Sequence, residues 1–180
     1  MAVSSSIADD FVPLPSGGFL VTNMRSATGG AGGRVVEFGR NLQLVGEYPT
    51  TLPADGGFNP HGIDVDFSKN PMVTSDFVNP VTTLKTWPGP VELRGSIRFW
   101  NLKERRITRT VFLPDAAGTM DVKFIPGDPR GHAVTANKFT GLVYTMDPTD
   151  GSYVQSFDCE TIEPHRLVSR HHAVWRPRRR

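Results

Sequence analysis

The chain has 180 residues, with 38% hydrophobic, 9% aromatic and 21% charged side chains, 18 Gly and 15 Pro, a turn-rich balance that fits a globular all-β domain rather than a helical one. No run approaches the roughly 18 apolar residues of a membrane span, and Met1 to Ser6 lacks the basic and apolar regions of a signal peptide, so no membrane partner and a cytoplasmic location are expected. The formal net charge of +2 is unevenly spread: residues 163–180 hold six of the 20 Lys+Arg against one acid, Glu163, which leaves 14 basic and 17 acidic groups in residues 1–162.

The first strand run is Asp9-Asp10-Phe11-Val12-Pro13, followed by Phe19-Leu20-Val21-Thr22-Asn23, Gly33-Arg34-Val35-Val36-Glu37-Phe38 and Leu42 to Tyr48. Apolar and polar residues alternate in these runs, and β-branched and aromatic side chains dominate, which is strand chemistry at period two. A second set repeats the order: Ile63-Asp64-Val65-Asp66-Phe67, Pro71 to Asp76, Gly95-Ser96-Ile97-Arg98-Phe99-Trp100 and Ile107 to Leu113. A third set has Met120 to Pro126, His132 to Asn137, Gly141 to Met146 and Ser152 to Phe157. The closing Phe residues, Phe11, Phe67 and Phe124, lie 56 and 57 positions apart. Asn41, Asn101-Leu102-Lys103 and Asp147 to Gly151 supply turn residues before each fourth run.

A four-stranded meander repeated at this period predicts a β-propeller fragment of three blades, at about residues 7–53, 58–114 and 118–158, within a partial propeller over 1–160. A sandwich or barrel of about twelve strands is the competing all-β reading, but its strands need not correspond in threes. Closed propellers need roughly four to eight blades. Three leave open faces, expected to carry core residues such as Val73, Ile97 and Phe99, so self-association, a protein partner or membership of a longer protein is expected.

The run Gly29-Gly30-Ala31-Gly32-Gly33-Arg34 lacks a following Gly-Lys-Ser/Thr and a helix, so it reads as a loop rather than a nucleotide cradle. No Gly-x-Ser-x-Gly elbow occurs. Cys159 is the one cysteine and has no metal-ligand spacing. His61, in a Pro-His-Gly turn at the mouth of a first strand, is the candidate metal ligand, with a structural hydrogen-bonding role as the alternative. His132 stands elsewhere in its repeat. Asp64 and Asp121 are read as equivalent positions of successive blades, facing one channel, where they bind a cation, act as acid and base, or simply bond to turns. The long stretch Phe77 to Arg94, with Trp87-Pro88-Gly89-Pro90, is the candidate lid or partner surface. Residues 161–180 read as a basic, disordered tail whose His165, His171 and His172 bind metal only adventitiously. The body has no basic patch to support nucleic-acid binding.

Leu14-Pro15-Ser16-Gly17, Met72 to Pro80, Gly95 to Asn101 and Asp121-Val122-Lys123-Phe124 resemble the selenium-binding protein family, which includes methanethiol oxidases. The resemblance spans about residues 9–158 and rests on scaffold-like motifs. It implies a β-propeller and, in the oxidase members, copper-assisted oxidation of methanethiol to formaldehyde, hydrogen sulfide and hydrogen peroxide. A small thiol ligand, copper and association with selenium follow as expectations of the family, with His61 the one candidate ligand and Cys159 unmatched to the family's selenium-associated cysteine. The isolated chain is expected to be inactive; the alternative is a non-catalytic interaction module.

Overall fold

Alternation at period two gives each run two distinct faces, and in the computed structural model the runs pair as three antiparallel four-stranded sheets of consecutive strands. The structure describes residues 6–26, 32–49, 58–69, 71–76, 94–116, 118–138 and 140–158. Blade 1 comprises β1 (Ser6–Pro13), β2 (Phe19–Ser26), β3 (Gly32–Phe38) and β4 (Leu44–Tyr48). Blade 2 comprises β5 (Pro60–Val65), β6 (Pro71–Asp76), β7 (Arg94–Asn101) and β8 (Arg106–Ala116). Blade 3 comprises β9 (Thr119–Phe124), β10 (Ala133–Asn137), β11 (Leu142–Met146) and β12 (Tyr153–Asp158). The first strands neighbour one another, β1 beside β5 and β5 beside β9, so each sheet runs outward from a shared centre. Cys159, the stretch 77–93 and the basic tail lie outside the described residues, while Gly32 and Gly33 of the glycine run open β3.

Two apolar cores lie between the blades. On one face of blade 2, Phe58, Ile63, Val65, Met72 and Trp100 pack against Leu20, Val35 and Tyr48 of blade 1. Trp100 is flanked there by the rings of Phe58 and Tyr48, 5.3 and 6.1 Å from centroid to centroid. On the other face Val73, Ile97, Phe99, Val111 and Leu113 meet Val122, Phe124, Ala133, Tyr144 and Met146 of blade 3. Val73, Ile97 and Phe99 are therefore interior rather than exposed, because the middle blade has a neighbour on each side. Among the described residues, the sheet faces without a neighbouring blade belong to blades 1 and 3.

Each inner strand carries a bulge. Pairing jumps from Ala8↔Asn23 to Phe11↔Val21, from Pro60↔Asp76 to Ile63↔Thr74, and from Thr119↔Asn137 to Val122↔Thr135, so one extra residue sits on the inner strand each time. Asp9, His61 and Met120 thus correspond, as do Asp10, Gly62 and Asp121. This register corrects the equivalence of Asp64 with Asp121: Asp64 pairs across to Val73, the place Lys123 holds opposite Val134.

A bulge leaves backbone groups outside their own ladder, and here the neighbouring blade takes them up. Thr22 Oγ1 accepts the Asp10 N–H at 3.0 Å and donates to the His61 carbonyl at 2.5 Å. Ser75 Oγ repeats this one blade on, accepting the Gly62 N–H at 2.9 Å and donating to the Met120 carbonyl at 2.7 Å. Carboxylates add a second clip: Asp10 Oδ2 accepts the Ile63 N–H at 3.1 Å, and Asp64 Oδ2 the Phe124 N–H at 2.8 Å. Gly62 permits the approach, since a Cβ there would stand 2.8 Å from Asp121 Cα and 2.9 Å from Val122 N. Ser75→Ala, which strands a carbonyl and an amide, should cost about 1–3 kcal/mol of unfolding free energy in urea titration. Gly62→Ala should cost at least as much, by forcing β5 and β9 apart.

Candidate axial site

The bulges bring side chains of all three inner strands together at the centre. His61 Nδ1 lies 2.7 Å from Asp9 Oδ2, joining β5 to β1, with both side chains largely but incompletely buried. Lys123 Nζ reaches Asp10 Oδ2 at 3.2 Å, Asp121 Oδ1 at 3.1 Å and the Ile63 carbonyl at 2.9 Å, so one ammonium touches blades 1, 2 and 3. Burial pushes the Asp9 carboxyl above its ordinary value of 3.8 against the pull of His61, and the charges of Asp10 and Asp121 add to the rise. Burial works against the charge on Lys123, but its bonds to Asp121 and Asp10 outweigh that and hold its pKa above the usual lysine range.

Chemically, the arrangement offers a carboxylate-oriented imidazole beside a tethered cation. The two channel acids have structural partners. Asp64 Oδ1 accepts the Val65 N–H at 2.9 Å while its Oδ2 holds Phe124, and Asp121 Oδ1 accepts the Val122 N–H at 2.8 Å besides facing Lys123. No group of three or more His, Cys, Asp or Glu side chains with metal-binding geometry occurs among the described residues. A copper centre, which favours several imidazole or sulfur donors, does not fit these residues as they stand: among the described residues His61 is the one imidazole at the axis, and an ammonium lies between Asp10 and Asp121.

Two further polar clusters escaped the sequence reading. In blade 2, Asp76 and Arg98, each 2% exposed, pair through Arg98 Nε and Asp76 Oδ2 at 2.6 Å. Asp76 also accepts from Ser96 and from the Asn59 N–H, and Arg98 donates to Thr110 and lies 5.5 Å from the Phe58 ring centroid. Burial pushes the Asp76 carboxyl up, opposed by Arg98 and these donors. In blade 3, His132 sits between Asp128 and Asp147, and Arg130 also pairs with Asp147, which pins the β9–β10 turn to the β11–β12 turn. The available signal for the first cluster is the polar residue at corresponding positions of the second strands, Asn23, Asp76 and Asn137, all buried. A separate cleft of about 420 Å³ between blades 1 and 2 is lined by Leu14, Leu20, Tyr48, Phe67, Leu102 and Arg105, away from His61.

Among solved structures the chain is similar to a hypothetical selenium-binding protein from Sulfolobus tokodaii, with TM-score 0.62 and 13% identity over 84% of this chain and 35% of that one. It also resembles the β-propeller domain of Cps50 from Myceliophteria thermophila, with TM-score 0.54 and 10% identity over 85% of this chain and 38% of that one. A chain of a nidogen–laminin complex gives TM-score 0.56 and 12% identity over 89% and 50%. The fold is a β-propeller arc. The chain spans about a third to a half of the length of these propellers. No family model and no curated protein matches the sequence.

Two results are expected of these clusters. Because folding raises the Asp9 pKa, its contribution to stability is present below about pH 4 and is lost as pH rises through the folded value; Asp9→Asn should flatten that decline. NMR titration of the Asp9 carboxyl should give a midpoint above 3.8 that climbs further in His61→Ala. Separately, Arg98→Met should cost about 3–5 kcal/mol in chemical denaturation, because it leaves the buried Asp76 carboxyl without its cation.

Proposed function

We propose that this propeller arc is an interaction module, working by what its two outer sheet faces bind. The observation that carries this reading is the contrast between interior and end faces. Phe11 is 67% exposed on blade 1, and Val154 and Phe157 are 45% and 42% exposed on blade 3, whereas the apolar residues packed between blades are buried. Large apolar side chains left exposed on an unpartnered sheet face mark binding sites.

A second reading keeps the relation to selenium-binding proteins and their copper-dependent methanethiol oxidases, with a small thiol bound near the axis. Two observations support it: the likeness to the Sulfolobus tokodaii protein, and the imidazole of His61 fixed by Asp9, as carboxylates orient metal-binding histidines. On this reading His61 would supply one copper ligand, the remaining ligands coming from outside the described residues, and selenium association would accompany it.

Copper reconstitution of the full chain, under reducing and oxidising conditions with metal counted by mass spectrometry, separates the two. The interaction reading expects substoichiometric copper that His61→Ala does not change. One copper per chain, lost in His61→Ala, would overturn it in favour of the oxidase reading.

A further inference from the structure

Cross-strand register defines both end faces. On blade 1 the row of exposed Phe11, half-buried Val21, buried Val36 and exposed Glu47, with the half-buried Phe19–Phe38 stack at 5.2 Å, lies opposite the Leu20, Val35 and Tyr48 side that packs on blade 2. On blade 3 the rows Val134, Thr145, Val154 and Ala136, Val143, Phe157 lie opposite the Tyr144 and Met146 side. One is the leading face of the stack and the other its trailing face.

We infer that the occupant of each end face is a second copy of this chain, joined head to tail so that blade 3 of one copy packs on blade 1 of the other. This rests on the interaction reading above. Within the chain, a blade face of this kind is covered by another blade with its inner strand alongside, at both interior junctions. A second copy supplies the missing leading face for blade 3 and the missing trailing face for blade 1 in one step. Two copies contribute six blades, inside the range of closed propellers, and the ring closes with two-fold symmetry.

The inner-strand clips of the interior junctions are not repeated at the seam. Asp121 corresponds to Asp10, whose Oδ2 accepts the N–H of Ile63 in the next blade. Across the seam the residue that corresponds to Ile63 is Phe11, whose N–H is already taken by Asp10 Oδ1 of its own blade at 2.8 Å, so this clip is not repeated there. Ala136 stands where Thr22 and Ser75 place their hydroxyls, so nothing on blade 3 donates to the Asp9 carbonyl as Thr22 does to His61. The seam therefore lacks the clips that both interior junctions possess, and it is the weaker junction.

Sedimentation equilibrium of the full chain tests this. The expected particle has twice the 19.8 kDa chain mass. Phe11→Asp and Phe157→Asp, both at exposed sites, should each weaken the dimer at least tenfold, and mixing the two variants should restore a dimer, since that pair retains one unaltered seam. Ala136→Ser should tighten the dimer by roughly thirtyfold, the worth of two added hydrogen bonds, one at each seam. The inference is overturned by a monomer, by a dimer that either Asp variant leaves unchanged, by variants that fail to complement, or by dimerisation only after residues 159–180 are removed, which would make the tail the occupant. A monomer that takes up no copper overturns the second copy while leaving the interaction reading in place; stoichiometric copper lost in His61→Ala overturns both.

Discussion

A sheet strand with one residue too many leaves a carbonyl and an amide outside its own ladder, and the arrangement of this chain depends on the neighbouring blade meeting them. The apolar cores on either side of blade 2 supply most of the attraction between blades, but hydrophobic burial is non-directional and does not set how far one sheet slides against the next. The clips do. Thr22 and Ser75 each join an amide of their own blade to a carbonyl of the following one, and Asp10 and Asp64 hold an amide of the following blade directly. Buried backbone groups left without partners are costly enough to favour one stacking register over its neighbours.

The same constraint limits what the axis can do chemically. Carboxylates near the centre of a propeller invite a cation, and this chain supplies one from within, the Lys123 ammonium between Asp10 and Asp121. Asp64, with both oxygens on backbone amides, acts as mortar between blades 2 and 3. The Asp9–His61 pair is different, because it joins two titratable side chains at bulge positions that the other inner strand fills with Met120.

Sequence periodicity was enough for the strands and the fold class, because alternation and a repeated order of runs survive small irregularities. It was not enough for the correspondence between blades. Shifts by an even number of residues leave the apolar-polar alternation unchanged, so overlaying Phe11, Phe67 and Phe124 gives a plausible register four positions from the paired one between blades 1 and 2 and two positions from it between blades 2 and 3, and with it a false match of Asp64 to Asp121. The placement of Val73, Ile97 and Phe99 failed for another reason: a strand apolar on both faces signals a neighbour on both sides, which only the stacking order reveals. His61, expected in a turn, sits instead within β5 at its bulge, and its partner Asp9 lies 52 positions earlier in the chain. Lys123, Asp76 and Arg98 read as ordinary strand polar residues until the blades are assembled.

Amide hydrogen exchange on the full chain tests the central claim most directly. If the inner strands are held by clips from the preceding blade, the N–H groups of Ile63 and Phe124 should exchange as slowly as those of the central ladder strands β6 and β10, and Asp64→Ala should release Phe124 without releasing Ile63. Fast exchange at both positions, with β6 and β10 still protected, would mean that the blades are held by their apolar cores alone and would contradict the account.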